Sequence, residues 1–179
     1  MAKAVPIHKL THPDQKLGMS APVLLVRLNE MLEWAAAVHD PACVEELHNM
    51  RISAKRLRYT MELFLPALDP AAAGVLRTVE EIQGQLGDIH DCDVLLPVLR
   101  ETMEDEMERE RKKALRAGNG PPPFLAAEGL IALQRRKQEE RRRRYEKFIA
   151  YWDALPPEEF ADRLRHLVLQ AARHDNSER

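Results

Sequence analysis

The chain has 179 residues, enough for one domain of ordinary size with a substantial hydrophobic core. Hydrophobic residues make up 45%, charged residues 31% and aromatic residues only 5%, which favours a helical bundle over a β protein. The 27 Lys and Arg and 29 Asp and Glu give a formal net charge of −2, which excludes a generally basic protein. Any binding of a polyanion must therefore come from uneven placement of the cations.

The sequence lacks the marks of a membrane or secreted protein. No apolar run approaches the ~18 residues of a membrane span, and the N-terminus has no apolar core typical of a signal peptide. Cys43 and Cys92 lack CxxC spacing and are expected to be reduced or buried thiols. These features predict a cytoplasmic protein without a membrane partner.

The chain is predicted to begin with a flexible arm, residues 1–18, because Pro6, Pro13 and Gly18 interrupt scattered polar residues. A first helix is predicted over 23–38, after Ser20 as its N-cap. Its apolar face consists of Leu24, Leu28, Met31, Leu32, Ala35 and Val38. Residues 1–18 are thus expected to lie outside the folded domain, which spans 19–179.

The second predicted helix, from near Cys43 to Pro66, carries an unusual row of cations. On a helical wheel advancing ~100° per residue, an apolar arc holds Leu47, Met50, Ala54, Leu57, Met61, Phe64 and Leu65. The next arc holds His48, Arg51, Lys55, Arg58 and Glu62, and a second apolar strip follows at Ile52, Tyr59 and Leu63. The outward arc is predicted at Asn49, Ser53, Arg56 and Thr60.

Cations between two apolar strips indicate a groove between packed helices, because half-buried cations need an anionic partner. The alternative is that Glu62 and acidic residues of a neighbouring helix neutralise the row, while the long stems cover apolar surface. Helix geometry alone leaves both interpretations open.

Two more helices are predicted before the clearest break in the chain. The third, 71–86, has apolar residues at Ala72, Val75, Val79, Ile82 and Leu86, and Gly87 is expected to end it. The fourth, 88–117, directs inward Ile89, Cys92, Leu96, Leu99, Met103 and Met107, with a kink or restart at Pro97. Asp88, Asp91 and Asp93 in its first turn are expected to orient Arg51 or Arg58 rather than bind metal.

The segment GNGPPP, 118–123, separates this four-helix part, 19–117, from a predicted helical hairpin, 124–173. Arg141 falls within the apolar arc of the hairpin's first helix, and Lys137 and Arg144 lie on its edge. We therefore predict an antiparallel four-helix bundle followed by a two-helix hairpin, about six helices in total. The neighbouring Arg135, Arg136 and Arg143 are expected to be solvated.

Two blocks of the sequence resemble a known family. HNMRISAKRLR, His48 to Arg58, resembles the signature of the CHAD family, α-helical domains named for their histidine. LGDIHDCDVL, Leu86 to Leu95, is similar to that family's Leu-Gly, Arg-Asp, Asp-Val segment. Together with the preceding helix, the resemblance covers about residues 20 to 100.

The resemblance implies an all-helical fold that binds inorganic polyphosphate, often alongside triphosphate tunnel enzymes, which become an expected partner. Complete family members carry two four-helix bundles around a basic cleft, whereas this chain has one signature. Either the last two helices complete a truncated cleft, or two chains pair as a homodimer to rebuild it. Association with polyphosphate granules is a further expectation.

The main hypothesis is a non-catalytic polyphosphate-binding module without cofactor or metal. Its predicted site residues are His48, Arg51, Lys55, Arg56 and Arg58, joined by Lys137, Arg141 and Arg144. Helical spacing repeats the first cations every ~5 Å, near enough for successive phosphates.

Other classes of function stay open. One is a phosphohydrolase that uses His48 as phospho-acceptor, or Asp88, Asp91 and Asp93 with Mg²⁺. Another is nucleic-acid binding, which the scarcity of aromatic residues in the basic stripe disfavours. His48 has a structural alternative as a core histidine satisfied by Asp91 or Asp93.

Overall fold

The computed structural model describes residues 3–4, 16–68, 70–118, 128–155 and 159–167, with the backbone alone at 16–21 and 67. Over these ranges the chain contains five α-helices and no strand. They are α1 (Lys16–Leu32), α2 (Val44–Phe64), α3 (Ala72–Arg116), α4 (Glu128–Asp153) and α5 (159–167). Short 3-10 turns occupy Ala35–Ala37 and Leu65–Ala67. The predicted all-α class is confirmed.

The prediction of six helices is wrong, because α3 runs through the expected junction at Gly87 as one helix of 45 residues. Leu86 and Ile89, on either side of that glycine, are both buried, so apolar packing continues across it. Such packing outweighs the roughly 1 kcal/mol that a glycine costs inside a helix. The helix also continues past Pro97 without a restart. The region 19–117 therefore contains three α-helices rather than four.

The first helix is shifted relative to its prediction. It begins at Lys16 and ends at Leu32, and the expected last turn is the 3-10 turn Ala35–Ala37. Residues 16–18, assigned to the flexible arm, are thus helical, while most of the arm lies outside the described residues. The predicted ends of the hairpin, 124–127 and 168–173, also lie outside them.

The chain divides into two compact units. The first unit consists of Met1–Gly87 with Lys147–Arg179, and the second unit is Asp88–Glu146. Both α3 and α4 contribute residues to each unit, because the boundaries fall inside these helices.

All five helices contribute buried apolar side chains to the first unit. The helices α1 and α2 pack against each other, and most of their predicted core residues are buried: Leu24, Leu28, Met31, Met50, Ala54, Leu57 and Met61. The predicted α3 residues are buried as well: Ala72, Val75, Val79, Ile82 and Leu86. Burial of one such side chain contributes about 1.5–3 kcal/mol, so this face fixes how α2 is oriented.

The buried arc of α2 is wider than the sequence suggested. Asn49 and Ser53, predicted to face outward, are 4% and 1% exposed. Both side chains are short and form hydrogen bonds readily, so packing over them is tolerated when their polar atoms are satisfied. Hydropathy alone does not identify such positions, which explains why the outward arc was placed wrongly.

The second unit pairs residues 88–116 of α3 with residues 128–146 of α4. Its buried apolar residues include Ile89, Cys92 and Leu99, whereas Met107, predicted to face inward, is 42% exposed. Beyond that point α3 carries local pairs of the type i,i+3, such as Glu108 with Arg111 at 3.0 Å. Each such pair stabilises an exposed helix by about 0.2–0.5 kcal/mol.

Replacing Gly84 by alanine is expected to stabilise the protein. Gly84 is an exposed residue within α3, and a Cβ there would meet no atom within 4 Å. Removing backbone freedom should contribute about 0.5–1 kcal/mol and raise the Tm by about 1–4 °C in thermal unfolding. The control is Gly118→Ala, which should lower the Tm because Gly118 has φ +67°. An unchanged or lower Tm for Gly84→Ala would contradict the expectation.

Candidate functional site

The candidate site is built on one face of α2. Arg51, Lys55 and Arg58, hereafter the α2 row, follow one another at i, i+4 and i+7, so they lie one above another along the helix. Arg51 and Arg58 are half-buried, and Lys55 is exposed. His48, half-buried, precedes the row by one turn, while Arg56, also half-buried, projects from another part of the helix.

The α2 row keeps most of its positive charge. Among the described residues neither Arg51 nor Lys55 forms an ion pair, and the buried Nε of Arg51 has no hydrogen-bond partner. Arg58 Nε lies 3.4 Å from Glu62 Oε1, longer than a normal charge-assisted hydrogen bond. Three cations thus face one carboxylate, and that carboxylate is 42% exposed. A surface contact of this kind contributes little.

One residue beside the row was missed by the sequence analysis as a functional group. The Cζ of Arg58 lies 4.6 Å from the centroid of the Tyr59 ring, and Lys55 Nζ lies 5.7 Å from it. The spacing Lys55 to Tyr59, i to i+4, is the signal that could have revealed the contact.

The second apolar strip of α2 is exposed. Tyr59 and Leu63, expected to pack against another helix, are 49% and 74% exposed. The α2 row therefore borders a buried surface on one side and an exposed apolar strip on the other. Among the described residues, this second strip is thus not covered at Tyr59 or Leu63, and the expected groove stays a prediction.

The second family-like block lies close to the row at one point. A Cβ added to Gly87 would lie 3.5 Å from Arg51 Nε, an ordinary contact distance. The guanidinium Nε of Arg51 thus lies close to the backbone of α3 within the first unit. An approach this near to a helix backbone explains why Arg51 is half-buried although it carries a full charge.

Two of the acidic residues at 88–93 pair with arginines of α4. Asp93 accepts a hydrogen bond from Arg141 Nε, and Asp88 Oδ1 lies 3.4 Å from Arg144 Nη1. Within the second unit, α4 thus supplies the guanidinium groups that pair with Asp88 and Asp93, and the orientation of Arg51 or Arg58 by these aspartates stays a prediction. The residues described include no group of three His, Cys, Asp or Glu arranged to hold a metal ion.

The three predicted site cations of α4 are neutralised inside the second unit. Lys137 Nζ donates to Glu140 Oε2 at 2.7 Å, and Arg144 Nη2 lies 2.5 Å from Glu140 Oε1. Arg141 and Asp93 form the most buried of these pairs, with side chains 16% and 10% exposed. The hydrogen bond from Lys137, with the charge of Arg144, lowers the pKa of Glu140.

The remaining charges of this region agree with their predicted placement. Arg135, Arg136 and Arg143 are exposed, as expected for solvated residues. Cys43 and Cys92 are free thiols, and burial raises the pKa of Cys92. Whether Lys137, Arg141 and Arg144 share a binding site with His48 stays a prediction.

These features define an all-helical protein with a largely un-neutralised cationic face on one helix. The CHAD domain family model matches residues 7–100, more than half of the chain. The chain therefore belongs to the CHAD domain family. The match contains both family-like blocks and ends before the cations of α4. No curated protein and no solved structure gives a significant match to the chain.

Every helix in the described part of the chain is too short or too polar to cross a bilayer.

Proposed function

We propose that this protein binds inorganic polyphosphate on the α2 row without catalysing its cleavage, with His48 at the amino-terminal end of the row and Arg56 at its rim. The observation that carries the proposal is the scarcity of ion pairs along the row. Arg51 and Lys55 have no ion pair among the described residues, and Arg58 has only the contact at 3.4 Å. Membership of the CHAD domain family supports polyphosphate as the anion.

The chemistry of the row suits a linear polyanion. Polyphosphate carries about one charge per phosphate and has no base edges to read, so successive cations along a helix are sufficient to follow it. The planar guanidinium groups of Arg51 and Arg58 are able to bind phosphate oxygens in pairs, and Lys55 acts as a point charge between them.

Titration of the full chain with long-chain polyphosphate over a salt series tests this function, with orthophosphate and single-stranded RNA as controls. We expect binding that weakens steeply with salt and prefers polyphosphate over both controls at matched ionic strength. Equal binding to RNA would favour the nucleic-acid alternative. Absence of binding would mean that the family fold is present without the proposed function.

The same samples test the catalytic alternative when incubated with Mg²⁺ and assayed for released phosphate. Two of the aspartates that a metal-dependent hydrolase would use, Asp88 and Asp93, are engaged by Arg144 and Arg141. This engagement supports a binding role over hydrolysis. Metal-dependent release of phosphate, or stable phosphorylation of His48, would overturn the non-catalytic part of the proposal.

Replacing Glu62 by glutamine is expected to tighten polyphosphate binding by about 2- to 5-fold. Glu62 is the carboxylate that approaches the α2 row, and its negative charge competes with an incoming phosphate for Arg58. Titration at low salt measures the change, which should shrink as salt is added. Glu80→Gln, the same charge change at another exposed position, should leave the affinity unaltered. Weaker binding by Glu62→Gln would count against a site at Arg58.

A further inference from the structure

The uncharged ring of Tyr59 contacts two cations of the α2 row, Lys55 and Arg58. Both contacts fall within the ~6 Å at which a cation is attracted to an aromatic face, at 4.6 Å for Arg58 and 5.7 Å for Lys55. We propose that Tyr59 positions Lys55 and Arg58 so that the row prefers condensed phosphates over a single phosphate. The inference rests on the proposed polyphosphate-binding function.

The helix geometry explains how one ring reaches both cations. Lys55 and Tyr59 are four residues apart and therefore neighbours on the helix surface. Arg58 directly precedes Tyr59 along the chain, and its long side chain extends far enough to place the guanidinium near the ring. Tyr59 and Lys55 are exposed and the Arg58 side chain is 24% exposed, so a ligand in solvent has access to both cations.

An aromatic ring and a carboxylate differ in their effect on the charge of the cation that they hold. The carboxylates on α4 both hold and neutralise their partners, as Glu140 does for Lys137 and Arg144. A tyrosine ring holds a cation through its quadrupole without cancelling the charge. Lys55 and Arg58 are thus restrained near one point while both remain able to pair with an anion.

Restraint of this kind raises affinity because long side chains lose rotamer freedom when they bind. Lys and Arg have among the largest side-chain entropies, and part of that cost is met before the ligand arrives. A ligand with adjacent phosphates engages both cations together, whereas orthophosphate engages one at a time. The ring should therefore matter more for polyphosphate than for orthophosphate.

The test compares Tyr59→Leu and Tyr59→Phe in the full chain, titrated with long-chain polyphosphate and with orthophosphate. Tyr59→Leu is expected to weaken polyphosphate binding about 3- to 10-fold, and orthophosphate binding less than 2-fold. Tyr59→Phe keeps the aromatic face and should stay within 2-fold of the wild type. Leu63→Ala, at another exposed apolar residue of the same strip, is the matched control and should have no effect.

The salt dependence separates positioning from loss of charge. Tyr59→Leu removes no cation, so the slope of log affinity against log salt should equal that of the wild type. Lys55→Gln removes one cation and should lower the slope by nearly one. In the Lys55→Gln/Arg58→Gln background, Tyr59→Leu should cause no further loss, because the ring then has no cation to position.

The possible results separate a failure of the role of Tyr59 from a failure of polyphosphate binding itself. If the wild type does not bind polyphosphate, the proposed function fails and the inference fails with it. If the wild type binds and Tyr59→Leu binds equally well, only the inference fails. It also fails if Tyr59→Phe loses as much as Tyr59→Leu, or if the loss persists without Lys55 and Arg58, because Tyr59 would then contact the ligand itself. Tyr59→Gln provides the same comparison should the leucine variant misfold.

Discussion

Reversing the charges of Arg51 and Arg58 together is expected to lower the affinity for long-chain polyphosphate by at least about 100-fold. Each hydrogen bond to a charged group contributes about 1.5–3 kcal/mol, and each tenfold change corresponds to about 1.4 kcal/mol. Placing two carboxylates in the α2 row adds repulsion to the lost contacts. Titration of Arg51→Glu/Arg58→Glu at several salt concentrations measures the loss, and circular dichroism reports whether the helices remain.

A matched control is available on α4. Arg135→Glu/Arg143→Glu makes the same change in net charge at two exposed arginines, so it accounts for the general effect of charge on a polyanion. We expect this control to lose no more than about 5-fold, an effect that should vanish at high salt. If the two double variants lose equal affinity for polyphosphate, the result would contradict a binding site on α2. Because Arg51 is half-buried, Arg51→Gln/Arg58→Gln repeats the test with a milder change.

Sequence periodicity identified most of the buried apolar residues of the first three predicted helices. Leu28, Met50 and Ile82, each chosen from a 3.6-residue repeat, are all fully buried. Long apolar side chains that recur at helical spacing are stabilised by burial in the hydrophobic core. The pattern therefore indicates which face of a helix is buried. The family was also identified correctly from sequence.

Helix ends were less predictable because local signals compete with packing. Glycine is common at the end of a helix, which favoured a helix end at Gly87. However, Leu86 and Ile89 on either side of it are buried, and α3 continues through this position. Conversely, the predicted end of the first helix at Val38 had a good apolar pattern, but α1 ends at Leu32. Such choices depend on contacts with residues distant in sequence, which periodicity does not contain.

The sequence also did not predict which carboxylate pairs with which arginine. Asp88 and Asp93 could have neutralised arginines of either α2 or α4, since both helices offer guanidinium groups at suitable spacing. The structure pairs them with Arg144 and Arg141. This choice engages two carboxylates of the second unit with guanidinium groups of α4. Composition and net charge contain no information on which carboxylate meets which cation.

The ion pair between Arg141 and Asp93 should be the most costly single interaction to break in the second unit. Asp93→Ala is expected to destabilise the protein by about 3 kcal/mol, because it leaves a largely buried guanidinium without its carboxylate. The lower end of the usual range applies because Arg141 has other contacts. Thermal unfolding should show a Tm lower by about 6–12 °C, and hydrogen exchange should locate the loosening within residues 88–146.

Two further variants separate a lost ion pair from general damage to α3. Asp91→Ala removes an exposed carboxylate two residues away and should change stability by less than about 0.5 kcal/mol. Asp93→Leu/Arg141→Met replaces both charges by apolar side chains and should recover most of the loss, since an apolar pair needs no desolvated charge. Equal destabilisation by Asp91→Ala would contradict a specific role for the pair.

The Asp93→Ala variant also decides whether α4 cations take part in binding. Removing Asp93 takes away the negative charge paired with Arg141 without adding a new cation to the chain. If Lys137, Arg141 and Arg144 share the site with the α2 row, the affinity for polyphosphate must rise and the salt slope must steepen, even though the variant is less stable. If affinity and slope stay unchanged, the binding surface is confined to α2, and the α4 cations serve only to hold the second unit together through Asp88, Asp93 and Glu140.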